Sequence, residues 1–369
     1  MRENDQTPGA RAPGARAALA RLRGDAAPHP LDARALAALA ANPGCARRAV
    51  LDAAGLDKSA IAASLGAPAP FGQSPFAITR GLAFERQLLA DDGSILVDLL
   101  ATLLADPAAA PSPETVRVTA PPLPGKDSGP ATREARTRQA LDHAAPGEWT
   151  VLYHPTLSLD VAGAPAYLEP DALVVRPDGR WTVVEIKSFP ILDGTADPAK
   201  VGAAARQAAV YLLALDSPAA DQRFLLVCPR DFGNRPTGSL IDLRRELGVT
   251  RRQLERLTRI EELLAPLPED AVLDPGADPA RLTASVEAIP AAYTPDCLST
   301  CDLAFHCRDR ARAAGSVDVL GRGARAEAAP YGQVAEALGG SDRLVRAGLL
   351  RAEALALAGP SAEGPGGDA

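Results

Sequence analysis

The fold is decided by residues 168–187, which read LEPDALVVRPDGRWTVVEIK. Two strand-forming runs flank the turn sequence PDG at 177–179. Proline, aspartate and glycine in this order favour a type I turn followed by a left-handed residue, which closes a three-residue hairpin loop with a bulge at Gly179. We therefore predict an antiparallel β-hairpin in which Arg176 pairs with Arg180.

Counting outward from this turn places Asp171 opposite Glu185. Because side chains alternate between the two faces of a strand, Lys187 shares the face of Glu185, and Ile186 points the other way. A two-residue turn would instead place Asp171 opposite Ile186 and would separate the charged side chains. Two carboxylates and a lysine on an otherwise apolar hairpin are costly to bury unless they are paired or coordinated. The turn chemistry thus predicts a single charged site.

The charged residues of this hairpin are of the types that bind a hard divalent cation. Carboxylates of Asp171 and Glu185, with the backbone carbonyl of Ile186 between them, suit Mg²⁺ or Mn²⁺. A metal there would lower the pKa of a bound water and neutralise a phosphate, while Lys187 would orient the water or stabilise charge in the transition state. The alternative is a surface hairpin with an ordinary Glu–Lys pair.

Three motifs of the chain resemble those of the RecB-type branch of the PD-(D/E)xK nucleases. They are PD at 170–171, EIK at 185–187 and QAAVY at 207–211, which matches the QxxxY motif of that branch. The resemblance implies a restriction-endonuclease-like core, with a mixed central sheet flanked by helices, that hydrolyses DNA phosphodiester bonds with a metal. It also implies that Gln207 and Tyr211, which share one helical face, contact nucleic acid or support the site.

The same resemblance implies a metal ligand on an earlier helix. That family has an acid or a histidine there, and GLAFE at 81–85 occupies the corresponding place, so Glu85 is the implied ligand. Many RecB-type and CRISPR-adaptation nucleases have histidine at this position, and the present chain departs from them. We predict a deoxyribonuclease, an exonuclease acting on single-stranded DNA or DNA ends. The alternatives are a catalytically silent DNA-binding or scaffold subunit and an RNA nuclease.

Three cysteines, Cys297, Cys301 and Cys307, lie within eleven residues, and Cys45 is the candidate for a fourth ligand. This layout resembles that of iron-sulfur nucleases of the AddB and CRISPR-adaptation type. The resemblance implies a [4Fe-4S] cluster that clips helical N- and C-terminal additions together around the nuclease core, with no redox step. Four thiolates suit structural Zn²⁺ equally, and His306 could replace one of them. A protein without metal here is the third alternative.

Composition limits the partners of this chain. Its 369 residues are 47% hydrophobic, which is enough for a globular core. The net charge of −7 argues against coating nucleic acid through bulk charge, although it allows a local basic groove. No run of about 18 apolar residues and no signal-peptide pattern is present, so we expect a cytoplasmic protein without a membrane partner. Because no GxxxxGK[ST] loop occurs, any unwinding would need a separate helicase or another repair or defence protein.

Composition along the chain also suggests its domain limits. We predict a disordered tail over residues 1–30, a RecB-like nuclease domain over 31–310, a helical C-terminal extension over 311–357 and a second tail over 358–369. Strands are predicted at 150–153, 167–175, 181–189 and 223–228. Helices are predicted at 31–41, 46–56, 131–144, 198–215 and 250–264, and a further helix follows Thr79. Thr79 and Thr250 are the expected N-caps of their helices. Interleaved strands and helices predict the α/β class.

Overall fold

The computed structural model describes residues 13–69, 75–105, 118–161, 164–231, 233–256 and 260–358. The chain divides into two compact units. The first comprises Met1–Asp57 and Pro70–Pro290, and the second comprises Lys58–Ala69 and Ala291–Ala369. None of the described helices has both the length and the apolar character needed to cross a bilayer.

Strands and helices alternate along the first unit. The strands are β1 Val118–Thr119, β2 Trp149–Tyr153, β3 Leu157–Val161, β4 Ala164–Leu168, β5 Ala172–Val175, β6 Trp181–Ile186, β7 Arg223–Pro229 and β8 Pro236–Asp242. The helices of this unit are α1 Pro13–Arg23, α2 Ala33–Ala41, α3 Ala46–Ala53, α5 Pro75–Leu88, α6 Ser94–Leu104, α7 Pro130–Asp142, α8 Pro198–Leu215, α9 Arg244–Arg256, α10 Ile260–Leu264 and α11 Pro279–Ala288.

The second unit is helical in its described part. It contains α4 Lys58–Ser64, α12 Ala304–Ala313, α13 Arg325–Ala328, α14 Val334–Gly340 and α15 Asp342–Ala358. Short 3₁₀ turns at Pro295–Ser299, Val317–Leu320 and Arg322–Ala324 connect the longer helices. The segment predicted as a helical extension therefore does form helices.

Six strands form one mixed sheet in the order β1-β2-β5-β6-β7-β8. The pairs β1–β2 and β6–β7 are parallel, and the other three pairs are antiparallel. Helix α8 provides the crossover that the parallel β6–β7 pair requires. Strands β3 and β4 form a separate two-stranded hairpin. The chain thus has the predicted α/β class, with a mixed central sheet flanked by helices.

The two faces of the sheet bury different helices. Val183 of β6 lies in a core cluster with Tyr211 of α8, whereas Val184 lies in another cluster with Phe84 of α5. Because side chains alternate along a strand, Glu185 follows Val183 onto the face covered by α8. Glu185 is therefore placed between the sheet and that helix.

The predicted hairpin register is confirmed. Gly179 adopts φ +77°, and its N–H donates to the Arg176 carbonyl at 2.9 Å. The Arg176 N–H donates to the Arg180 carbonyl at 2.8 Å. Strand β5 pairs with β6 so that Ala172 opposes Val184, and one step outward Asp171 lies opposite Glu185.

Two predicted strands are too long. The run 167–175 is broken because β4 ends at Leu168 and β5 begins at Ala172. Pro170 has no N–H to give to a ladder, and the Asp171 side chain takes a backbone N–H of β6 instead. The run 181–189 ends as a strand at Ile186. Strands β1, β3 and β8 were not predicted at all.

The two predicted threonine caps are wrong. Helix α5 begins at Pro75 and α9 begins at Arg244, so Thr79 and Thr250 lie inside their helices. Proline is favoured in the first turn of a helix, and the Asp242 side chain accepts the Arg244 N–H just before α9. The single helix predicted over 250–264 is instead described as parts of α9 and α10, and residues 257–259 lie outside the described chain.

The prediction of a tail over residues 1–30 is also corrected. Residues 13–23 form α1, in which Leu19 and Leu22 are buried, and the Leu22 carbonyl accepts the Leu273 N–H at 2.7 Å. Burial of two leucines provides the apolar contact that the alanine- and arginine-rich composition did not suggest. Residues 1–12 and, in the second predicted tail, residues 359–369 lie outside the described chain.

Replacing Gly179 by alanine should destabilise the protein by about 1 kcal/mol, because an alanine is strained in the left-handed region. No described atom lies within 4 Å of the added β-carbon, so backbone strain is the expected cause. Gly125→Ala is the matched control, since its β-carbon also meets no described atom and its φ is not left-handed. Urea unfolding measures both. Equal stability of the two variants would contradict the assigned turn.

Candidate active site

Three charged side chains converge at the end of the hairpin. Glu185 is completely buried, and the side chains of Asp171 and Lys187 are about one-quarter exposed. Lys187 Nζ contacts the Glu185 carboxylate and lies 3.9 Å from Asp171 Oδ2. The ammonium thus stands between two carboxylates that approach the same small space.

The pKa values of this group reflect burial in the presence of like and unlike charges. Burial raises the pKa of Glu185 to about 7, against the opposing effect of Lys187, and the Asp171 charge adds to the rise. Burial alone would lower the pKa of Lys187, but the Glu185 and Asp171 carboxylates outweigh it and raise that pKa above its ordinary value. A buried carboxyl that titrates near neutrality is characteristic of functional sites, although structural ion pairs also produce such shifts.

Asp171 is held by backbone groups on both sides. Its Oδ2 accepts the Ile186 N–H at 2.6 Å, and its carbonyl accepts the His154 N–H at 3.2 Å. The first of these bonds ties the Asp171 side chain to β6 beside Glu185. Ile186 packs on the opposite face of the sheet, as predicted. Its carbonyl as a metal ligand stays a prediction.

Gln207 and Tyr211 form a hydrogen-bonded chain from Lys187 to the loop before Asp171. Lys187 Nζ donates to Gln207 Oε1 at 3.5 Å, and Gln207 Nε2 donates to the Tyr211 hydroxyl at 2.9 Å. That hydroxyl donates to the Glu169 carbonyl at 3.0 Å. Burial raises the pKa of Tyr211 well above its ordinary value, so the hydroxyl keeps its proton. In this arrangement both residues support the site from α8.

Glu85 reaches the same region from α5. A β-carbon added at Gly81 would meet the Ser188 β-carbon at 3.7 Å, so α5 packs close to the end of β6 one turn before Glu85. Burial, followed by the negative charge of Asp171, raises the pKa of Glu85, and His154 and Lys187 oppose the rise. Glu85 is therefore within electrostatic reach of the hairpin carboxylates.

Two further residues of this site, His154 and Glu169, had no role in the sequence interpretation. His154 Nε2 lies 3.3 Å from Glu85 Oε1, and His154 Nδ1 lies 3.7 Å from Glu169 Oε1. Proline at position 155 disfavours the helical conformations for His154, yet this residue adopts φ +44°. The local sequence therefore does not predict the left-handed conformation of His154. For Glu169 the sequence does offer a signal, because this acidic residue directly precedes the PD motif at 170–171.

The donor chemistry of the site suits Mg²⁺ or Mn²⁺, which prefer oxygen ligands. Glu185 Oε1 is buried and accepts no hydrogen bond from the described residues, and Lys187 supplies the cationic contact to this carboxyl group. Within the described ranges, however, no three His, Cys, Asp or Glu side chains converge closely enough to hold a metal ion. The side chains are thus of the right chemical type to bind such an ion. In this structure the Lys187 ammonium occupies the space between the Asp171 and Glu185 carboxylates.

The three C-terminal cysteines pack into one small cluster of the second unit. Cys297 and Ala304 are buried there with Tyr293, and Cys301 and Cys307 pack against them. None of the five cysteines forms a disulfide bond. Thiolates are the ligands that a thiophilic metal prefers, but among the described residues these three thiols are not close enough to hold one ion together, so the cluster stays a prediction.

The other two cysteines lie in the first unit. Cys45 is the N-cap residue of α3 and lines a cavity of about 220 Å³ together with Asn42 and Gln253. Its role as the fourth cluster ligand stays a prediction. Cys228 of β7 is fully buried, and burial raises its pKa to about 12, which keeps it protonated and unreactive.

No protein-family model matches this chain, and no curated protein matches it. A solved structure described as "Crystal structure of SSO0001" is similar at 14% sequence identity and a TM-score of 0.20, over 55% of this chain and 74% of that chain. A similarity at this TM-score carries no argument about fold or function.

Glu185→Gln should stabilise the metal-free protein increasingly as the pH rises from 5 to 8. The folded-state pKa of Glu185 lies above its ordinary value of 4.5, so its protonated form favours folding, and that stability is lost as the pH rises through about 7. Glutamine mimics the protonated form, so the stability of the variant relative to the parent should rise by on the order of 1–3 kcal/mol between pH 5 and pH 8. Urea unfolding in EDTA measures the difference at each pH.

Glu269→Gln, at an exposed position between α10 and α11, is the control for this series. Its stability difference from the parent should not change across the same pH range. A Glu185→Gln difference that is equally flat would show that the carboxyl ionises in the fold as it does in water.

Proposed function

We propose that this protein is a metal-dependent nuclease that hydrolyses DNA phosphodiester bonds through a RecB-type PD-(D/E)xK core. The single observation that carries the proposal is the hairpin register, which brings Asp171, Glu185 and Lys187 onto one face. Glu185 is buried beside the charged Lys187 and Asp171, at a position that an apolar side chain would fill at lower cost. A role in binding a catalytic metal ion would explain why a glutamate occupies this position.

Each residue of the site has a distinct role in this proposal. Asp171 and Glu185, with Glu85 from α5, would hold Mg²⁺ or Mn²⁺. The bound ion supplies a water of lowered pKa and neutralises charge on the phosphate. Lys187, whose raised pKa keeps it protonated, is the donor to a phosphate oxygen or to the attacking water. Gln207 holds the Lys187 ammonium, and Tyr211 holds the loop before Asp171.

DNA is the favoured substrate because of the resemblance of the motifs, which also favours an exonuclease acting on single strands or ends. Arg34 is exposed on α2 and lies near enough to Lys187 to oppose its protonation. This guanidinium offers a positive charge for the nucleic-acid backbone beside the site. A helicase or another repair or defence protein would supply any strand separation.

The proposal includes a [4Fe-4S] cluster on Cys297, Cys301, Cys307 and Cys45, with structural Zn²⁺ as the alternative. Support comes from the packing of the three C-terminal thiols in one small cluster. Its role is structural, so the nuclease residues do not exchange electrons with it.

A second candidate function is a DNA-binding or scaffold subunit that has lost turnover. One observation favours it: Lys187 Nζ contacts Glu185 in the space where a cation would bind, and the described residues hold no preformed set of three metal ligands. Such a protein would bind DNA equally well with Mn²⁺ and with EDTA, and it would cleave none.

Lys187→Ala should lower Mn²⁺-dependent DNA cleavage by roughly 100-fold or more, because it removes the cationic donor of the site. Binding of DNA should change little. Cleavage is measured on end-labelled single-stranded DNA, duplex DNA and RNA with protein purified without oxygen.

Lys126→Ala, at an exposed position before α7, is the matched control and should cleave as the parent does. A Lys187→Ala variant as active as the parent would overturn the proposed site. Cleavage of RNA alone would keep the chemistry and change the substrate.

Protein prepared without oxygen should contain iron and acid-labile sulfide and should absorb visible light. Cys297→Ser should lose most of the iron, because a cluster needs its thiolate ligands. Cys228→Ala is the control and should keep it, since Cys228 is a core residue of β7. Metal analysis and absorbance spectra measure both. A colourless protein with stoichiometric zinc would replace the iron assignment by the zinc alternative.

A further inference from the structure

His154 occupies an unusual backbone position directly after β2. It adopts φ +44°, in the left-handed region that is uncommon for residues other than glycine, and it precedes Pro155. Its side chain is 45% exposed, so burial of the imidazole does not account for the strain. Backbone strain of this kind persists where surrounding contacts over-determine the conformation, and it is frequent at functional sites.

The contacts of His154 link two acidic residues that come from distant parts of the chain. Its backbone N–H donates to the Asp171 carbonyl at 3.2 Å, and its Nε2 lies 3.3 Å from Glu85 Oε1. Asp171 belongs to the hairpin, and Glu85 belongs to α5. One residue therefore touches both the backbone of the first acid and the carboxylate of the second.

The other ring nitrogen of His154 faces a fixed partner. Nδ1 lies 3.7 Å from Glu169 Oε1, and Glu169 Oε2 accepts from Arg133 at 2.5 Å. The Glu169 carbonyl accepts the Tyr211 hydroxyl at 3.0 Å. Glu169 is thus anchored from α7 and from α8, and its carboxylate lies at ion-pair distance from the imidazole. The imidazole therefore lies between two carboxylates, and one of these, Glu169, is fixed by other residues.

We propose that His154 is a positioning residue that sets the distance and orientation of Glu85 relative to Asp171, with Glu169 as its anchor. The inference rests on the proposed function, because it assumes that both acids hold a divalent cation. Outer partners of metal ligands commonly change metal affinity by roughly 10- to 100-fold when they are removed. The left-handed backbone of His154 then lets its N–H reach the Asp171 carbonyl while its imidazole reaches the Glu85 carboxylate.

Three variants separate the imidazole from the backbone strain. His154→Gly removes the imidazole and relieves the strain, so it should fold at least as stably as the parent while binding Mn²⁺ roughly 10- to 100-fold more weakly. His154→Gln returns one donor and should recover part of the affinity. His143→Ala, at an exposed position after α7, is the control and should bind as the parent does.

Equilibrium Mn²⁺ binding is measured by electron paramagnetic resonance on the full chain, prepared without oxygen so that the proposed cysteine-bound cluster is retained. DNA cleavage is measured on the same preparations. Saturating Mn²⁺ should restore most of the kcat of His154→Gly, and the KM for DNA should stay within about twofold. A double-mutant cycle with Glu85→Gln tests the route of the effect. If His154 acts through Glu85, His154→Gly should cause little further loss in the Glu85→Gln background.

The outcomes distinguish the two proposals. A parent that binds and cleaves with Mn²⁺, beside a His154→Gly variant of equal affinity, would overturn the positioning role alone. Additive losses in the cycle would also overturn it, because His154 would then act independently of Glu85. A parent that binds no Mn²⁺ would overturn the proposed function and, with it, the role of His154.

Discussion

A carboxylate with no exposed surface governs the rest of the site. Glu185 lies on the helix-covered face of the sheet, where an ionised group must be paired, hydrogen-bonded, coordinated or protonated. Lys187 supplies a counter-charge, and no described donor reaches Glu185 Oε1. The remaining imbalance raises the pKa of Glu185 to about 7. Ionisation of Glu185 therefore lowers the stability of the folded state.

The neighbouring elements are arranged to hold the residues around Glu185. The break between β4 and β5 lets the Asp171 side chain take the Ile186 N–H, which an unbroken strand would have left to the sheet. The same break exposes the Glu169 carbonyl to the Tyr211 hydroxyl of α8. Irregular backbone at this point is thus compensated by side-chain hydrogen bonds, and it brings helix and hairpin together.

The hairpin was predictable because local chemistry decides it. The turn residues at 177–179 fix the loop, the loop fixes the register, and the register brings Asp171 and Glu185 together without help from distant contacts. Other features depend on partners that are remote in sequence. Strand β8 contains proline, glycine and serine, and it forms because it pairs with β7. His154 is held against its own local preference by the backbone of Asp171, so no local pattern could indicate it.

Lys187 explains how such a site folds before any divalent ion arrives. Its ammonium contacts Glu185 and approaches Asp171, so two like charges are separated by an unlike one. A divalent ion that binds these carboxylates must displace the ammonium, and Gln207 Oε1, at 3.5 Å from Nζ, offers the nearest alternative acceptor. Tyr211 accepts from the amide of Gln207 and thereby keeps Oε1 turned towards the lysine. In the proposed enzyme, Gln207 of helix α8 would thus accept the Lys187 ammonium when a metal ion binds. Lys187 would then lie beside the metal ion and no longer between the Asp171 and Glu185 carboxylates.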